Sequence, residues 1–85
     1  MNQKLFDEVI QLLDELSQDI SVPKNVRKTA TDAKGKLNVQ KESLDLRCAK
    51  VISILDDLTN DPNVPSLGRT FLYTIISKLE ALAKS

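Results

Sequence analysis

VIQLLDELSQDISVPKNVR, residues 9–27, and VISILDDLTNDPNVPSLGR, residues 51–69, are two versions of one pattern. Sliding the chain by 42 positions, the separation of Val9 and Val51, superposes them. Val9 then falls on Val51, Ile10 on Ile52, Leu13 on Leu55, Asp14 on Asp56, Leu16 on Leu58, Asp19 on Asp61, Val22 on Val64, Pro23 on Pro65 and Arg27 on Arg69. Glu15 over Asp57 and Ser17 over Thr59 are near-matches, and further on Leu37 meets Leu79.

The apolar residues before each turn recur at three- and four-residue steps, the period of a helix with one buried face. Leu5, Phe6, Val9, Ile10, Leu12, Leu13 and Leu16 predict a first helix over about 2–18. Pro23 disfavours helical geometry in Val22 and suits the first turn of a new helix, so the break is a tight connection. The second helix, about 23–37, carries a narrow stripe of Val26, Ala30, Ala33 and Leu37 that lets a neighbour approach closely. Gly35 within it costs about 1 kcal/mol of helix propensity against alanine, which makes this the weakest of four. No proline or glycine lies between Asn38 and Ser43, so the start of the third helix falls somewhere in 39–43. That helix runs to about 60 with Leu44, Cys48, Val51, Ile52, Leu55 and Leu58 on one face, until Asp61-Pro62-Asn63-Val64-Pro65 stops it. The fourth, about 65–83, has the broadest apolar face: Leu67, Phe71, Leu72, Ile75, Ile76, Leu79 and Leu82. Nothing reads as a strand.

The expected architecture is all-α, one domain of two helix-loop-helix repeats, the first over about 2–38 and the second over about 42–83. Two repeats are too few for an open solenoid, whose end units leave faces uncovered. A closed up-and-down four-helix bundle is the economical solution, with short connections making sequential helices antiparallel.

The stretch LLDELSQDISVPKNVRKTATDAKGKL resembles a HEAT repeat: leucines on the first helix, an aspartate in the turn, then a valine-arginine pair and alanines on the second. The resemblance implies that Asp19 and Arg27, with their counterparts Asp61 and Arg69, are hydrogen-bonding partners within and between repeats, and that Pro23 and Pro65 shape the turns. In the second unit Gly68 replaces the valine, and Leu72 and Ile75 stand where alanines are expected. As a whole, with its VPKNVRK and NDPNVPSLGR turns, the chain resembles a family of short archaeal all-helical proteins of uncharacterised function. That resemblance implies a four-helix bundle and no particular chemistry.

At 85 residues the chain holds one modest core, since domains of this size bury little more than about 60% of the surface their unfolded chain exposes. Disulfides and the usual zinc ligand sets are out of reach with one cysteine, Cys48, and no histidine, which leaves self-association as the available means of added stability. The same shortage denies the chain the common nucleophile–base pairs, so no catalytic residue, metal, cofactor or small-molecule substrate is expected. Asp14, Glu15, Asp56 and Asp57 sit at repeat-equivalent positions, and a solvated acidic face accounts for them better than cation binding. Cys48 matches Phe6 on the apolar stripe, a place for a small buried hydrophobe.

Met1-Asn2-Gln3-Lys4 leads straight into the amphipathic pattern, and no run approaches the roughly 18 apolar residues that span a membrane, so a soluble, cytoplasmic protein is expected. Twelve basic and twelve acidic residues balance overall but not locally: helix one is acidic and residues 23–41 are basic. Lys24, Arg27, Lys28, Lys34 and Lys36 form a candidate basic patch, without the interleaved aromatics of a base-stacking surface.

The functional expectation is a non-enzymatic helical module that binds itself or a partner protein. Its candidate surface is Leu67, Phe71, Tyr73 and Ile76 of helix four. The alternative is a small nucleic-acid-associated accessory protein using the basic helix.

Overall fold

A computed structural model describes all 85 residues and contains four helices: α1 (Gln3–Ser17), α2 (Lys24–Leu37), α3 (Leu44–Thr59) and α4 (Ser66–Ala83). The α1 start is fixed by Asn2, whose side-chain oxygen accepts the Leu5 N–H at 3.1 Å, satisfying one of the free donors every helix start exposes. At α2 and α4 the prolines occupy the cap itself, one position earlier than expected, with φ of −58° and −66°. No residue has a positive φ, so every helix ends without a left-handed cap. Gly35 leaves α2 unbroken: it is exposed, and nothing lies within 4 Å of where a Cβ would stand.

The helices form a closed ring in which α1 touches α2, α2 touches α3, α3 touches α4 and α4 returns to α1, while the diagonal pairs stay apart. The Asn2 N–H donates to Ser85 Oγ at 3.2 Å, bringing the two chain ends together. The ring measures 33 × 20 × 19 Å, and one continuous core runs along its long axis.

The duplication is realised as side-chain equivalence. Val9 and Val51, Leu13 and Leu55, Leu16 and Leu58, Val22 and Val64, and Leu37 and Leu79 are all buried, as are Phe6 and Cys48. Where the repeats depart from one another, volume is conserved across the core. Ala30 and Ala33 of α2 correspond to the buried Leu72 and Ile75 of α4, and the large Phe6 of α1 corresponds to the small Cys48 of α3. Close packing tolerates such exchanges when total volume is kept.

Arg47 is the buried exception. It matches the apolar Leu5 in the first repeat, yet it is 9% exposed and its Nη1 donates to the Leu37 carbonyl at 2.6 Å. A cation there covers the last carbonyl of α2, where the helix dipole is negative.

Candidate functional site

The two proline turns lie side by side at one end of the ring, and this end holds most of the residues singled out in the sequence. In the first turn Asp19 Oδ1 accepts the Ser21 N–H at 2.9 Å and its hydroxyl at 2.6 Å. In the second, Asp61 Oδ1 accepts the Asn63 N–H at 2.9 Å, and Oδ2 accepts Asn25 Nδ2 from the neighbouring repeat at 3.3 Å. These bonds hold both carboxyls below their ordinary range, with the Ser21 hydroxyl as the main cause at Asp19 and the Asn63 N–H at Asp61.

Arg27 and Arg69 complete the turns through backbone oxygens rather than through the aspartate carboxylates. Arg27 Nη1 donates to the carbonyls of Asp19 and Val22, each at 3.4 Å, and Arg69 Nη2 donates to those of Asp61 at 3.4 Å and Val64 at 2.8 Å. At this end of the ring the repeats are linked by Asn25 to Asp61, an asparagine that composition and spacing did not distinguish from other surface polars.

Gly68 explains itself here. A Cβ on it would stand 3.1 Å from Val22 Cγ1 and 3.1 Å from Val64 Cγ1, so a bare backbone lets the start of α4 close over both turn valines. The same closure puts Leu67 outward at 86% exposure, on the end that also carries Ile20 at 90%. No other large apolar side chain stands so far into water, Met1 being next at 62%. Neither α2 nor α4 has a side-chain cap, because proline fills the position. The chemistry on offer is therefore contact: two aliphatic side chains beside two helix starts.

The four residues proposed on α4 do not form one face. Phe71 and Ile76 are partly buried against the core, whereas Leu67 and Tyr73 are exposed and lie about 120° apart around the helix. Tyr73 borders a shallow depression of about 360 Å³ with Thr70, Thr74, Ser77 and Lys78, and Lys78 is paired with Glu8 of α1. The broad apolar stripe of α4 is taken up inside the ring, where α4 packs on α3 and α1, and Leu67 alone of that stripe is exposed.

The basic patch also divides. Lys34 Nζ meets Asp14 Oδ1 at 2.7 Å, a bond that pulls the Asp14 carboxyl below its ordinary range, and Arg27 is committed to its turn. Lys24, Lys28 and Lys36 remain exposed without ion pairs, and Asp32 lies one turn from Lys28 and from Lys36.

No three carboxylate or thiol side chains converge as a metal site would require. Cys48 is fully buried, and burial raises its thiol above the ordinary range. No helix is long and apolar enough to cross a membrane.

Comparison with known proteins places these features in a family. Residues 1–82 match the uncharacterised protein family UPF0147. A UPF0147 protein of Thermoplasma volcanium is 73% identical over 85 residues, covering 100% of this chain and 96% of that one. A UPF0147 protein of Methanothermobacter thermautotrophicus is 39% identical over 82 residues, covering 96% of this chain and 80% of that one. The crystal structure of a UPF0147 protein from Thermoplasma acidophilum superposes with a TM-score of 0.92 at 72% identity, covering 95% of each chain. That of a second protein, of unknown function, gives 0.88 at 35% identity, covering 94% of this chain and 91% of that one. With its two proline turns, its ring of four helices and this agreement over nearly its full length, the chain belongs to the archaeal family UPF0147.

Proposed function

We propose that the protein is a non-enzymatic, cytoplasmic helical interaction module that associates with itself or with a partner protein through its turn-bearing end. The supporting observation is the placement of Ile20 and Leu67, 90% and 86% exposed on one end, in a chain that folds nearly all its other aliphatic side chains inward. Burying a large aliphatic side chain contributes about 1.5–3 kcal/mol, so covering both is favourable for any surface that fits. Two side chains fall well short of the roughly 800 Å² per partner of a standard stable interface, and the contact is weak and transient. Nucleic-acid contact is less favoured, because two of the five cations it needs are engaged within the chain, Lys34 by Asp14 and Arg27 by its turn.

The test is solution mass by light scattering, with amide spectra recorded from about 10 μM to about 1 mM, the range in which a weak contact of this kind populates. Growth in mass with shifts around Ile20 and Leu67, abolished by Ile20→Glu with Leu67→Glu, is the expected outcome. A chain that stays monomeric with unmoved resonances overturns self-association and leaves this surface to a partner protein alone.

A further inference from the structure

We infer that residues 38–43 are a hinge, and that opening it lets the chain exchange helical hairpins with a second copy of itself. The fold consists of two hairpins, α1–α2 and α3–α4, each locked internally by a proline turn and its arginine. The segment between them has neither proline nor glycine, and its residues already make helix-like turn bonds: Asn38 N–H to Gly35 O, Val39 N–H to Lys36 O and Glu42 N–H to Val39 O. Ser43, at φ −63° and ψ 153°, differs from helical geometry in ψ alone. Straightening the segment fuses α2 and α3 into one helix from Lys24 to Thr59, about 54 Å long.

Two contacts hold the hinge shut, and neither survives in a straight helix. Arg47 Nη1 donates to the Leu37 carbonyl at 2.6 Å, but in a continuous helix that carbonyl belongs to the Lys41 N–H. Glu42 pairs with Lys50, but in a straight helix their backbones stand about 12 Å apart along the axis. Arg47 is a costly choice for its position. Its guanidinium is buried, it has no carboxylate partner and its Nε is unpaired, while the matching residue of the first repeat is Leu5. Helix packing at that position is met by an apolar residue, and what calls for a cation is the bend itself.

When the hinge opens, α1–α2 of one copy packs on α3–α4 of the other. The α2–α3 and α1–α4 contacts then form between chains with the same residues, so the exchanged dimer keeps the core of the closed ring.

The test uses Arg47→Leu, and separately Lys50→Gln, in the full chain. Both carry Ile20→Glu and Leu67→Glu, so that end-to-end contact adds no mass. After annealing at high concentration, Arg47→Leu is expected to raise the dimer association constant at least about a hundredfold, because the closed form alone loses a buried bond to a charged group, twice per dimer. Lys50→Gln, a half-exposed side chain whose loss does not threaten folding, raises it about fivefold. Heavy- and light-isotope copies are annealed together and treated with a carbodiimide, which joins the Glu8–Lys78 pair covalently. Exchange gives heavy–light linked peptides. A folded Arg47→Leu chain that stays monomeric, a Lys50→Gln chain with an unchanged dimer constant, or a dimer linked at Glu8–Lys78 only within single chains overturns the inference.

Discussion

Gly35 and Gly68 are the only glycines in the chain, and the same substitution should have opposite effects at the two. At Gly68, in the first turn of α4, alanine brings a helix-propensity gain of at most about 1 kcal/mol. Its Cβ would stand 3.1 Å from a methyl of Val22 and 3.1 Å from one of Val64. Ordinary carbon–carbon contact begins near about 3.5 Å, so both valines must retreat by a few tenths of an ångström. They cannot do so freely: each is buried, stiff about χ1, and set in a turn pinned by an arginine. Overpacking of this kind costs about 1–3 kcal/mol, leaving Gly68→Ala destabilised by about 1 kcal/mol net. At Gly35 nothing lies within reach and the propensity gain stands alone, so Gly35→Ala should stabilise by up to about 1 kcal/mol. Urea unfolding followed by circular dichroism measures both. In thermal melts each kcal/mol should move the midpoint by about 4–8 °C, in opposite directions. In a Val22→Ala background, which removes one of the crowded methyls, Gly68→Ala should cost less by at least about 0.5 kcal/mol. A Gly68→Ala protein as stable as the parent would refute the close-approach argument.

Acid should weaken the fold in a defined window. Hydrogen bonds lower the carboxyls of Asp14, Asp19 and Asp61, chiefly from Lys34, the Ser21 hydroxyl and the Asn63 N–H respectively. The folded form then takes up protons less readily than the unfolded chain, so their contribution is complete above the ordinary carboxyl value near about 3.9 and is lost as pH falls below it. With no histidine, the melting temperature should be flat between about pH 5 and 8, and a slope there would contradict this account. Arg69→Ala should destabilise by about 1.5 kcal/mol and Arg27→Ala by about half that, following bonds of 2.8 and 3.4 Å to the turn carbonyls of Val64 and Val22; equal losses in urea unfolding would refute the ranking. In fluorescence anisotropy with single-stranded RNA, three exposed lysines support a log–log salt slope no steeper than about −2, and a slope beyond −4 would restore the nucleic-acid reading.

The sequence made the helices legible because each connection is announced by proline or by a polar run, and because the duplicated apolar positions report one buried face twice. What it hid was direction and exception. The α4 stripe of Leu67, Phe71 and Ile76 looks continuous in sequence, but the ring gives α4 two neighbours and turns Phe71 and Ile76 toward the core, leaving Leu67 out. On a helical wheel Arg47 borders the α3 apolar stripe, about 20° from Leu58 and about 40° from Val51. That placement and its match to Leu5 in the other repeat put the position at the edge of the core, and nothing local indicates that its partner is the Leu37 carbonyl. The sequence singled out the aspartates and arginines of the turns but not the atoms that join them: a guanidinium above a turn reaches main-chain oxygens before a carboxylate already engaged by its own turn. Gly68 looked like a flaw in the repeat until its neighbours were known.

The ring of neighbours has a consequence for how the chain reaches this structure. Three of the four helix contacts join elements adjacent in sequence, across connections of a few residues, and only α1 against α4 brings distant segments together. Closing short loops costs little entropy, and helical proteins rich in local contacts fold in microseconds to milliseconds. Each hairpin is therefore expected to assemble early, with the meeting of α1 and α4 as the late event. Substitutions at Glu8 or Lys78, on that seam, should speed unfolding and leave the folding rate nearly unchanged.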